Sequence, residues 1–212
     1  MGAAGLVLLG EGSVSSVMSQ RNIESLRDRF RLDLNVQVEA SRLVVETALT
    51  NGTAETVHVF NVLWDFAPGG AMVGPDSPAY VCIQGNELRF ARRSLPIPAG
   101  RKVIMAIDAN ATPLPAGGVL KEQMIFDVPV HEYSPYFRRS LDSPVDAVES
   151  STARFEYGIA VGAKEGAFAP APMAGALRLI NPTKIEGILL VQSRTVPCRT
   201  QVMRRRDAFE RF

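Results

Sequence analysis

The chain has 212 residues, 46% of them apolar, 21% charged and 7% aromatic, enough to bury a core without disulfide staples or a structural metal. Its 23 basic and 22 acidic side chains leave a net charge of +1, which provides neither the basic footprint of a nucleic-acid binder nor an acidic disordered tail. Two cysteines and two histidines exclude a closed four-ligand zinc site of the usual paired spacing, and no stretch approaches the roughly 20 apolar residues of a membrane-spanning helix.

Residues 1–20 are rich in Gly, Ala and Ser with no sustained period, and read as a weakly structured arm. The apolar run Leu6-Val-Leu-Leu9 is broken by Gly10 and Glu11, and no Lys or Arg precedes Arg21, a poor match to a secretory leader. The expected location is therefore cytoplasmic or periplasmic. Leu6 stands where a myristoylation signal wants Ser or Thr. Ile23, Leu26 and Phe30 form an i, i+3, i+7 stripe that suits a short, frayed amphipathic helix over 20–31, the alternative being an arm lying on the body.

From Leu34 the period changes to two. Leu34, Val36, Val38 and Ala40 alternate with Asn35, Gln37 and Glu39, the mark of a strand with one buried face. A second strand is predicted over 43–50, and Asn51-Gly52 reads as the positive-φ pair of a tight turn. Thr56 to Trp64 is dense in β-branched and aromatic residues and reads as a third strand. Asp65 to Pro78 holds three Pro and three Gly and is a loop. Ala79–Ile83 and Glu87–Ala91 flank Gln84-Gly85-Asn86, a compact hairpin signal. Turns at 95–100 and 112–118 bracket a strand at 103–107. Over 119–128, Leu120, Glu122, Met124, Phe126 and Val128 share a face; Glu122 spoils its apolar character and suggests a bulge. Residues 129–151 read as irregular, 162–176 as a loop, and 155–161, 177–180 and 185–191 as the last apolar runs. The sum is nine or ten short strands with turn signals every 8–14 residues, which predicts an all-β antiparallel sandwich. It divides into an arm (1–32), a sandwich domain (33–203) and a charged tail (204–212) that opens with Arg204-Arg-Arg206.

Two segments carry a resemblance. Leu43 to Val59, with Thr50-Asn-Gly-Thr53 at its centre, and Leu114-Pro-Ala-Gly-Gly118 before an alternating strand resemble the strand–turn–strand punctuation of bacterial immunoglobulin-like domains. The likeness spans about residues 34–130 and implies an immunoglobulin-like sandwich; bacterial surface or periplasmic binding modules, and a bacterial proteinase-inhibitor family of similar shape, are the functional relatives it suggests. Trp64 precedes Cys82 with no Cys before it, so the Cys–Trp–Cys order of antibody domains is missing. The bias of 19 Arg over 4 Lys, with abundant Ala, points to a GC-rich bacterial genome, in which the glycosylation-like triplets at Asn51 and Asn110 are accidental.

Few residues suit catalysis. There is no Gly-x-Ser-x-Gly elbow and no glycine-rich phosphate loop. His58, between Val57 and Val59, reads as a hydrogen-bonded residue on a strand face. Cys82 and Cys198 have no His beside them for a blue-copper site and read as two unpaired buried thiols, a single bridge being the alternative in an oxidising compartment. No cofactor and no metal is implied. The most distinctive cluster is His131, Glu132, Tyr133, Tyr136, Phe137, Arg138 and Arg139, where aromatic and Arg side chains of a loop offer contact area and forked hydrogen bonds. The competing reading has its aromatics plugging one end of the sandwich. Three functions follow: a non-catalytic protein-binding or assembly module acting through loops or edge strands; a protease-inhibitor-like protein using 129–139 or 65–78; and an enzyme pairing His131 with Asp65 or Glu132. The expected partner is another protein, with no nucleic acid and no membrane span.

Overall fold

Inside–outside alternation runs through most of the chain, and hydrogen bonding sorts it into two packed sheets. A computed structural model describes residues 25–66, 72–97, 108–136, 144–173 and 175–206. Its strands are β1 (Phe30–Val38), β2 (Arg42–Asn51), β3 (Val57–Val62), β4 (Asp65–Phe66), β5 (Met72–Val73), β6 (Tyr80–Gln84), β7 (Glu87–Arg92), β8 (Asn110–Leu114), β9 (Val119–Asp127), β10 (Val130–His131), β11 (Val145–Val161), β12 (Phe168–Pro170), β13 (Leu177–Leu179), β14 (Gly187–Gln192) and β15 (Val196–Arg205). Ten of the fifteen have five residues or more, close to the expected number; the others are two- or three-residue ladders.

One sheet has three strands in the order β1-β2-β9. A second has ten, in the order β10-β15-β11-β3-β8-β13-β12, with β14 and β7 also on β11 and β6 on β7, and β4 and β5 form a separate two-stranded ladder. The all-β sandwich is therefore the fold. Most pairings are antiparallel as expected, but β7 runs parallel to β11 and β10 parallel to β15.

Several expectations are corrected. Phe30 and Arg31 already lie in β1, and a three-residue 3-10 turn at Arg27–Arg29 precedes it among the described residues; residues 20–24 of the expected helix lie outside the described residues. Nine residues of β1 pair in unbroken register with β2, and that ladder outweighs a three-residue apolar stripe. Neither Asn51 nor Gly52 has positive φ. They carry the chain from one sheet to the other, and the buried Asn51 amide is spent on backbone: Nδ2 donates to the Glu55, Leu114 and Pro115 carbonyls while Oδ1 accepts from Thr53. The hairpin at Gln84–Glu87 is as read, with Gly85 at φ 60°. β9 carries no bulge, since all nine residues pair in register with β2. β15 reaches Arg205, so the first residues of the expected tail belong to the sheet. The strand expected at 103–107 lies outside the described residues.

The main core lies between the sheets. Leu43, Val45, Leu49, Met124 and Phe126 of the small sheet meet Val59, Ile83, Phe90, Phe155 and Ile159 of the large one. The large sheet is also covered on its far side, where Phe60, Tyr80, Leu95, Ala111, Tyr136 and Ala160 form a second cluster. β11 runs through both. Phe155, Tyr157 and Ile159 point to the first core while Glu156 and Ala160 turn to the other face. Glu156 is only 1% exposed; Arg93 Nε donates to it at 2.9 Å and Gln192 Nε2 at 3.0 Å, so its charge is paired and its oxygens are used. Arg93 passes so close over β11 that a Cβ on Gly158 would stand 2.9 Å from the Arg93 Cβ, which is why the strand carries glycine there. Cys82 and Cys198 are buried and unbridged, in line with the unpaired reading.

Phe155 stacks on Phe90 and packs at a tilt against Tyr157 at the centre of the main core. Replacing it by Ala is expected to cost about 3–5 kcal/mol; a urea titration of F155A against the parent chain, with circular dichroism as readout, measures the loss.

Candidate functional site

The segment singled out from the sequence is built into the body as far as it is described. β10 pairs with β15, and Glu132 N donates to the Met203 carbonyl. Tyr133 exchanges both backbone hydrogen bonds with Val81 of β6, so residues 130–133 bridge β15 and β6. Glu132 is buried, and its carboxylate accepts from Ile83 N at 2.9 Å and Arg205 N at 2.7 Å, tying β6 to the end of β15. Tyr133 is half-buried and donates to Asp65 Oδ2, and the buried Tyr136 hydroxyl reaches the Leu95 carbonyl. His131 alone of the described members is exposed. Tyr133 and Tyr136 thus pack against the body, as the competing reading expected of them. Phe137, Arg138 and Arg139 lie outside the described residues.

His58 departs from its expected hydrogen-bonded state. Its ring stacks on Phe168 with centroids 4.1 Å apart and planes 13° from parallel, and its buried Nδ1 has no partner. Burial holds its pKa below the usual histidine value. Among the described residues no three His, Cys, Asp or Glu side chains gather as a metal site, and no helix is long and apolar enough to cross a membrane.

The polar cluster that sequence reasoning missed centres on Glu122. In the register of β2 and β9, Thr47 faces Glu122 on the inner side of the small sheet, among Leu43, Val45, Met124 and Phe126. Tyr157 rises from β11 between them; its hydroxyl donates to Glu122 Oε2, leaving Thr47 Oγ1 to donate to it at 2.9 Å. Glu122 Oε1 accepts from Arg92 at 2.7 Å and from Asn61 Nδ2 at 2.9 Å. Arg92 also donates to the Pro78 carbonyl, and Asn61 Oδ1 accepts from Thr112. The network joins the two sheets through one carboxylate. A cleft of about 280 Å³ opens beside it, lined by Asn61, Ser77, Pro78, Arg92 and Glu122. The sequence signal was the misfit itself, a Glu on the apolar face of β9.

The edge of β9 completes the site. Val128 N donates to the Ser41 carbonyl and Asn51 N to the Gly118 carbonyl, which places even-numbered residues of this chain segment in the hydrogen-bonded pairs with β2. The backbone N–H and C=O of Val119, Lys121, Gln123, Ile125 and Asp127 therefore point away from β2. Among the described residues β9 pairs with β2 alone. The same five side chains lie on the outer face, and all are exposed, Val119 at 50% and Ile125 at 51%. Glu122 thus links the cleft to the strand whose other edge is open.

No known protein family, curated protein or solved structure matches the chain.

Two outcomes are expected of these buried polar groups. Glu132→Ala removes an acceptor from two backbone N–H groups, a loss of about 2–3 kcal/mol measurable as a fall in the urea midpoint. Burial, with Asp76 adding, raises the phenol of Tyr133 to about 12; burial also raises that of Tyr80 well above its usual value, Tyr133, Tyr136 and Asp108 adding to the effect. The unfolded chain releases these protons near pH 10 while the folded chain keeps them, so stability holds below about pH 10 and falls above it. The Tyr80 hydroxyl has no partner. Tyr80→Phe is therefore expected to match the parent chain in urea at pH 7 and to lose less stability at about pH 11.

Proposed function

We propose that this protein is a non-catalytic protein-binding or assembly module, an immunoglobulin-like sandwich of bacterial origin, which engages another protein chain by adding a strand to β9. The observation that carries this reading is the set of five alternate outward-turned residues, 119 to 127, on a nine-residue strand whose far edge pairs with nothing among the described residues. Such an edge is a ready template for β-augmentation, in which main-chain hydrogen bonds supply affinity and side-chain contacts supply specificity. The cleft below it supports the same reading, because an added strand directs every second side chain inward, over Arg92, Asn61 and Ser77. Tyr133 and Tyr136 are packed into the body, which favours the strand edge over the 129–139 loop as the binding element.

Gln123→Pro tests it selectively. The Gln123 N–H points to the open edge, so proline deletes an outward donor and leaves the β2 ladder intact. Capture from the native host with the parent chain and with Q123P should lose its specific partners in the variant, and hydrogen exchange of the parent chain should slow at residues 119, 121, 123, 125 and 127 when a captured partner is added. Equal capture by both chains, with exchange on β9 unchanged, excludes the edge as the binding element.

A further inference from the structure

We infer that the strand added to β9 is β9 of a second copy of this chain, the two running antiparallel about a two-fold axis at Met124. This assignment rests on the strand-addition reading and specifies its partner. The outward-turned residues of β9 are odd-numbered throughout, so a self-pairing that matches odd with odd sets the outward N–H and C=O groups of the two edges face to face where the strands overlap. Among these registers, the one centred on Met124 sets Lys121 of each copy opposite Asp127 of the other and Gln123 opposite Ile125.

The side-chain order of β9 matches its own reverse. Lys121 and Asp127 carry the only charges among the five outward-turned residues, they have opposite sign, and both are exposed. An antiparallel copy converts this polarity into two cross-strand ion pairs on the outer face. The Ile125 side chain, 51% exposed in the single chain, then becomes the diagonal neighbour of Ile125 of the other copy, within reach on the same face. On the inner face, Glu122 sits opposite Phe126 of the other copy and away from the other Glu122, so the two carboxylates do not meet. Each remains paired with Arg92 of its own chain. The two small sheets join into one of six strands, β1-β2-β9 followed by its mirror order.

Charge reversal provides the test, with sedimentation equilibrium and light scattering as readouts and circular dichroism to verify folding. The parent chain should dimerise reversibly. Lys121→Glu and Asp127→Lys, each alone, turn both cross-strand pairs into like-charge pairs and should weaken dimerisation about tenfold. The K121E/D127K double variant restores unlike pairs and should recover the parent constant. An equimolar mixture of the two single variants should form a heterodimer more tightly than either forms a homodimer. A parent chain that stays monomeric at about 100 μM, or single and double variants that associate alike, overturns the proposal. If the parent chain is monomeric while Q123P still loses captured partners, the second copy is excluded and strand addition stands; if Q123P also retains every partner, strand addition falls as well.

Discussion

The architecture depends on one constraint: over its second half, Phe155 to Val161, β11 is buried on both faces and flanked by paired strands on both edges. Over 17 residues it pairs with β15 and β14 on one side and β7 and β3 on the other. A strand in that position reads as a near-continuous apolar run where both faces are covered, as Phe155 to Val161 does, and as a half-polar run where one face is wet, as Val145 to Glu149 does. The change occurs at Ser150–Thr152, where the register on β15 shifts and the Ser150 hydroxyl donates to the Cys198 carbonyl. Beyond it the strand is the floor of the main core and the roof of the second cluster. Both cores are therefore aligned by one piece of chain.

Two buried carboxylates, Glu132 and Glu156, and the part-buried Glu122 hold the layers around that strand, and each is satisfied in a different way. Glu156 is paired with Arg93 on the far face of the large sheet; Glu132 is bonded by two backbone N–H groups; Glu122 receives Arg92, Asn61 and Tyr157. Charges inside a protein are costly unless paired and hydrogen bonded, so each fixes the relative position of the elements that supply its donors. Glu122 has the widest span, because its donors come from β3, β7 and β11 while it stands on β9. Sliding the small sheet over the large one by a residue pair would detach all of them. Apolar contacts alone, being non-directional, impose no such registration.

The fold was legible where one face is wet. β1, β2 and β9 alternate clearly because their outer faces meet solvent, and the apolar part of β11 stands out by length. β8 was hidden by Pro113, which reads as a turn residue but is exposed within the strand. β15 was hidden because polar residues occupy inward positions: Thr200 is buried between Cys198 and Val202. The candidate site was half legible. Glu122 was visible as an interruption of the β9 pattern, but only the fold reveals that Arg92, Asn61 and Tyr157, up to 61 positions away in the chain, converge on it. Tyr133 and Tyr136 were conspicuous for a reason unrelated to exposure: an aromatic residue with a polar tip closes the end of a sandwich while finding a hydrogen-bond partner.

An exposed edge strand is a hazard unless something limits what can add to it, and natural sheets blunt their edges with lysine and with inward-pointing charge. β9 carries both, Lys121 outside and Glu122 inside. The surrounding structure changes what each one does. Glu122 is neutralised by Arg92 and anchored by Tyr157, so it excludes neither a strand nor the side chains that a strand would place over the cleft. Lys121 rejects partners with a positive charge opposite it and accepts those with a negative one, and Asp127 imposes the reverse condition six residues on. Together they leave the edge open while making it selective for direction and register: a parallel copy sets like against like, whereas an antiparallel one meets its complement. Under the proposed strand addition, the features that protect an ordinary edge from indiscriminate pairing would act here as a filter on which strand can join.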